Sequence, residues 1–250
     1  MDNSETNLLK HIELAPYLQL ATALIGKSRR IGGNQFRHVW ATVGILIDYK
    51  IIDSATLKAA ALHDLKEDVP YVYSPERINN LDEDGPKVVK IIEELSIRDN
   101  EPKSDYLLRV MLSGSNEAKL IKLADRISNL TDIQLGIFDI EKLKKILDET
   151  KEYILPYAKA INYNMYLEIN DFINSRSIYA HKTVELIVKK ALKNIIKRTQ
   201  DFNVDIQELI TNHSENIIKD IEDTLHLPDT ERPIYAFNIS RSIEPLELFN

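Results

Sequence analysis

The stretch AALHDLKEDVP, residues 60–70, decides how the chain is read. It opens as a run of Ala and Leu suited to a core-facing helix and turns abruptly ionisable at His63, Asp64, Glu67 and Asp68. Pro70 disfavours helical backbone at Val69, so a helix capped by Asp53 or Ser54 is expected to run to about Asp68. On such a helix His63 lies one turn from Glu67 and Asp64 one turn from Asp68, in one polar stripe. Carboxylates at a helix C-terminus meet the negative end of the macrodipole, an unfavourable placement of about 0.3–1 kcal/mol each when exposed. Lys66 alone offsets little of that, and a bound cation would remove it. Most acidic helix ends are simply solvated. Here the His-Asp pair follows an apolar run directly, where the helix should face the interior, and that points to a site.

Outward from this segment the chain reads as helices. Apolar positions spaced through 6–26 stop at Gly26, and a second helix is expected over about 36–49. Residues 70–86 read as a connection with a short helix, and Pro86 opens another as its first residue. Further helices are expected over about 103–113, 115–130 and 139–154, the last capped by Asp139. More follow from 157 to 200, including the basic amphipathic KTVELIVKKALKNIIKR, and a segment over 204–225 precedes a proline-bearing tail. Only seven glycines occur in 250 residues, against many Ile, Leu, Lys, Glu and Ala, which favours an all-α fold.

The net charge of −7 argues against a whole-surface nucleic-acid binder, though it allows a local basic pocket for a small anionic ligand. The chain lacks cysteine, so any metal must be held by His and carboxylates. No apolar run approaches membrane-spanning length and the first residues lack a signal pattern, so a cytoplasmic protein without membrane attachment is expected. His63 and Asp64 are too few for a metal, which needs partners from elsewhere. His38 in FRHVWATVG and Asp125 in LIKLADRISNL are candidates, each weak alone. The ordered set His, His-Asp, Asp is much stronger than its members.

These segments together resemble the HD-domain family, and within it the guanosine tetraphosphate hydrolase domain of the RelA/SpoT proteins and their small single-domain relatives. The family shows an RKSG-type loop, a histidine nine residues after its arginine, an LLHDVVEDT-like helix and a KLADRLHN-like segment. Here the loop is RRIGG with Arg29 nine residues before His38, the helix is ALHDLKEDV, and the late segment is KLADRISN. The resemblance spans about residues 5–160. It implies an all-α HD-domain helical bundle over 1–160, with 161–250 as an additional helical C-terminal extension. It implies metal ligation by His38, His63, Asp64 and Asp125, with manganese expected and iron or zinc as alternatives. It further implies that Glu67 and Asp68 handle the attacking water, and that Arg29, Arg30 and Asn129 meet the nucleotide. Lys122 and Arg126 match basic family positions, where ion pairing on the helix surface explains them equally well. Ile31 and Val69 stand where the family carries serine and threonine, and Arg30 where it carries lysine.

The expected activity is therefore metal-dependent removal of the 3′-pyrophosphate from ppGpp or pppGpp, with a small-molecule nucleotide as substrate and no nucleic-acid partner expected. Action on an adenine alarmone or on the 2′-phosphate of NADPH is the alternative reaction, and a non-catalytic nucleotide sensor the alternative of another class. The sequence does not give the oligomeric state and is compatible with a homo-oligomer. It shows none of the synthetase motifs after residue 160.

Overall fold

The computed structural model describes residues 1–29, 33–133 and 140–177. Arg30, Ile31 and Gly32, the expected Asp139 cap, and the extension from residue 178 onward, including the basic 182–198 segment, lie outside the described residues. Among the described residues the regular structure is helical. The helices are α1 (Asn3–Lys10), α2 (Ala15–Ala21), α3 (Gln35–Asp48), α4 (Ser54–Leu62), α5 (Leu65–Asp68), α6 (Pro75–Asn79), α7 (Gly85–Leu95), α8 (Lys103–Ser113), α9 (Asn116–Thr131), α10 (Ile140–Tyr153), α11 (Leu155–Ile161) and α12 over 163–177. They belong to one compact unit, Met1–Ser177. No helix among the described residues is long and apolar enough to cross a membrane.

Helix α4 is the centre of the unit. Every residue from Ala55 to Leu62 is buried, and the small side chains let α3, α7 and α2 approach closely. Its start is fixed as the sequence suggests: Asp53 Oδ2 accepts from the Thr56 amide at 2.9 Å. Even Lys58 is covered. Its Nζ sits 2.8 Å from Asp82 and 2.7 Å from Asp84, and the Tyr17 hydroxyl donates to Asp82 at 2.8 Å, so the buried charge is matched. Helix α3 packs across both α4 and α9, which brings the faces of these three helices together.

Two expected helices are interrupted. The run over 6–26 divides into α1, α2 and a 3₁₀ turn over Thr22–Gly26, because Pro16 opens a new helix in its first turn. The helix expected to reach Asp68 stops at Leu62, and α5 restarts at Leu65. The cause is local. The His63 ring Nδ1 bonds the Ala60 carbonyl at 2.8 Å, competing with the backbone for that acceptor, and Asp64 turns at φ −94°, ψ −2°.

The end of α7 is held by α8. The last carbonyls of a helix have no partner within it. Here Arg109 donates to the Glu94 and Ser96 carbonyls at 2.8 and 2.9 Å, and the Tyr106 hydroxyl donates to Leu95 at 2.6 Å. Arg109 also grips both oxygens of Glu101 at 2.6 and 2.8 Å, and Glu101 Oε2 accepts from the Arg98 amide at 2.9 Å. Asn100 closes this tight turn at φ 58°, a left-handed conformation that Asn tolerates.

The Arg109 fork holds the Glu101 carboxyl at about 2. A depressed carboxyl stabilises the fold above its unfolded pKa, and the contribution is lost as pH falls toward the folded value. Glu101→Gln is therefore expected to unfold at lower urea than the native chain near neutral pH, with the difference closing below about pH 4. Urea midpoints across the acid range check this. A gap that persists at the acid end would show that the ion pair is not its source.

Candidate metal centre

The three helices that meet at the core each deliver one part of a cluster. His38 comes from α3, His63 and Asp64 from the turn after α4, and Asp125 from α9. One potential ligand atom from each of His38, His63 and Asp125 lies within 4.8 Å of the others, and all three residues are buried. Asp125 Oδ1 is 3.0 Å from His38 Nε2 and 3.9 Å from His63 Nε2. Asp64 completes the approach, 3.2 Å from His63 Nε2 and 3.7 Å from His38 Nε2, with its side chain partly open to solvent.

The tautomers follow from the neighbours. The Ala60 carbonyl can only accept, so His63 Nδ1 carries a hydrogen and the neutral ring presents a bare lone pair at Nε2. That nitrogen is buried without a hydrogen-bond partner; Asp64 is near enough but poorly aligned. An orphaned buried lone pair facing a second imidazole and two carboxylates is the donor set a divalent cation takes. His38 Nδ1 rests 3.0 Å from the Ser128 hydroxyl, the type of outer contact that orients a ligating imidazole.

The electrostatics suit a divalent cation. Burial disfavours the Asp125 carboxylate, yet Lys122, His38 and His63 outweigh it and hold the carboxyl far below its ordinary value. Burial likewise disfavours a charged His38, but Asp125 and Asp64 raise its pKa. Lys122 Nζ sits 2.8 Å from Asp125 Oδ2 and is kept charged by that carboxylate despite its burial. Lys122 does make an ion pair, with Asp125, but the expected surface setting is corrected: the Lys122 side chain is mostly covered and Arg126 is buried. The inward turn of α9 at Asp125 takes its neighbours with it.

Beside the cluster lies a cavity of about 530 Å³, of nucleotide size, walled by Lys27, Ser28, Arg29, Gln35, His38, Asp64, Asp68, Asp125, Asn129, Lys142 and Ile146. Of the residues expected to meet substrate, Arg29 and Asn129 line it. They are also tied to each other: Arg29 Nη2 donates to Asn129 Oδ1 at 2.9 Å, and Asn129 Nδ2 donates to Asp125 Oδ1 at 2.6 Å. Arg29 is further clamped by Asp132. Gly33 supports the loop at φ 73°, a conformation suited to glycine, with its carbonyl accepting from the Arg29 amide at 3.1 Å.

The two carboxylates of α5 diverge. Asp68 lines the cavity, 3.5 Å from Lys27 Nζ and 2.5 Å from the Gln35 amide nitrogen. Glu67 is not among the cavity's lining residues. Its Oε1 accepts from the Ile97 amide at 2.9 Å. Though the residue keeps an open edge, protein crowds its carboxyl. That lost hydration, together with Asp64 and Asp125, outweighs Ile97 and Lys122 and raises its pKa. Gln35, Ser128 and Asp132 were not expected. Ser128 and Asp132 sit three and seven residues after Asp125, so helical period could have found them. Gln35 carries no sequence signal.

No family model matches the chain. It is 24% identical over 230 residues to the bifunctional (p)ppGpp synthase/hydrolase SpoT of Escherichia coli, covering 88% of this chain and 31% of that one. It is 29% identical over 143 residues to the GTP pyrophosphokinase rsh of Brucella ovis, covering 53% of this chain and 18% of that one. The chain thus spans a third or less of the length of these curated relatives. Among solved structures it is similar to one described as a metazoan ortholog of SpoT that hydrolyzes ppGpp, with TM-score 0.57 and 26% identity over 65% of this chain and 94% of that one.

Proposed function

We propose that the chain is an HD-domain protein of the RelA/SpoT type and that it hydrolyses the 3′-pyrophosphate of ppGpp or pppGpp, giving GDP or GTP and pyrophosphate. The observation that carries this reading is the bare Nε2 of His63, buried against His38 and Asp125, which themselves line a cavity that also presents Lys27 and Arg29.

In this reading His38, His63, Asp64 and Asp125 hold one divalent ion, manganese. Bound there, such an ion would supply Lewis acidity. The cations Arg29, Arg30 and Lys27 receive the nucleotide's phosphates, and Asn129 keeps Arg29 directed at them. Asp68, fixed by Gln35 and Lys27, orients the attacking water, and Glu67 takes its proton, a task suited to a carboxylate of raised pKa. A bond forms from the water oxygen to the phosphorus next to the ribose. The bond from that phosphorus to the 3′ oxygen breaks, the 3′ oxygen takes up a proton, and pyrophosphate leaves.

The test is turnover of ppGpp by the purified chain in manganese. Pyrophosphate and GDP are the expected products. A chelator should abolish the reaction and added manganese should restore it. Orthophosphate from NADPH with no pyrophosphate from ppGpp would overturn this assignment in favour of the other phosphohydrolase reaction.

A further inference from the structure

Glu67 is held by one backbone amide, that of Ile97, 2.9 Å from its Oε1. That amide lies just past the end of α7, in a segment with little regular structure of its own. Its direction is set from α8. Three successive carbonyls, Glu94, Leu95 and Ser96, are taken by Arg109 and Tyr106, and the loop beyond is closed onto Arg109 by Glu101. With those carbonyls fixed on one side, the next N–H is presented on the other, toward α5. Tyr106 also lies between two cations, with the Arg109 guanidinium 5.5 Å and the Lys122 ammonium 5.0 Å from its ring centre.

We propose that Arg109 is a positioning residue for Glu67: by capping the end of α7 it aims the Ile97 amide at the carboxylate that handles the attacking water. The proposal rests on the reading of Glu67 given above. Arg109 touches neither the cavity nor the cluster and acts only through that amide. Lysine cannot replace it, because one ammonium cannot span two carbonyls and a bidentate carboxylate in the plane of a guanidinium.

The experiment is a double-mutant cycle on the manganese-loaded chain with Arg109→Lys and Glu67→Gln, reading kcat, KM, bound manganese and thermal midpoint. Arg109→Lys is expected to lower kcat about tenfold, short of the roughly hundredfold that a 1 Å misplacement can cost, with KM and bound manganese unchanged. In the Glu67→Gln background the same substitution should cost less than about twofold, since the group it positions is already disabled. An equal loss in both backgrounds, or no loss in the otherwise native chain, would overturn the proposal. If Arg109→Lys fails to fold, Glu101→Gln, which frees one side of the same fork, is run through the same cycle with the same criteria. Full turnover by Glu67→Gln alone would overturn the reading of Glu67, and the role of Arg109 with it.

Discussion

Asp125→Asn is expected to lower ppGpp turnover by about a thousandfold or more, beyond the 10- to 100-fold typical of losing an outer contact of a metal ligand. It should also strip the bound manganese. Asp125 is the point where the site converges: it meets His38 at 3.0 Å, Asn129 at 2.6 Å and Lys122 at 2.8 Å. An amide keeps the shape but loses the charge that balances an enclosed lysine. Leaving a buried ion without its partner costs about 3–5 kcal/mol, so the unfolding free energy should fall by an amount of that order. Pyrophosphate release, metal content by elemental analysis and a urea titration measure the three effects. Turnover that survived with manganese still bound would sink the assignment of Asp125 as a ligand.

Glu67→Gln should separate chemistry from metal binding. Turnover is expected to fall by about a hundredfold or more, within the range for removing a general base, while manganese content stays native. Stability should not fall. Although Glu67 is partly open to solvent, the protein packed against its carboxyl, with Asp64 and Asp125 nearby, raises its pKa, so the fold favours its neutral form. The stability this group contributes is full below its unfolded pKa and is lost as pH rises through the folded value. At neutral pH the native carboxylate is therefore penalised. Glutamine removes that penalty and still offers an oxygen to the Ile97 amide. A thermal midpoint equal to or above native, with native metal and little turnover, is the expected result. Loss of manganese from this variant would instead make Glu67 part of the ligand set.

Much of the architecture was legible in the residues. The cap at Asp53, the stop before Pro70 and the opening of α7 at Pro86 obey rules that act within a turn or two of backbone, so a single chain suffices to apply them. The motifs around His38, His63-Asp64 and Asp125 were legible for a related reason: local sequence places His38 and Asp125 on inward helix faces and His63-Asp64 at the end of the buried run of α4. Residue types restrict the chemistry too, since without cysteine only imidazole and carboxylate remain for a metal.

Three features required the packed chain. The break between α4 and α5 depends on the His63 ring winning the Ala60 carbonyl. Glu67 and Asp68, adjacent in sequence and alike in charge, part company because one faces the cavity and the other meets a loop thirty residues away. Gln35 and Arg109 have roles only through the partners that folding brings them, Asp68 for one and the end of α7 for the other. The sequence by itself determined which helices form and which groups could carry the chemistry, because propensity, capping and residue type are local. The tertiary structure decided which oxygen faces which nitrogen and which carboxylate is desolvated. Those depend on distances between segments as far apart as His38 and Asp125, 87 residues from each other, and only packing sets them.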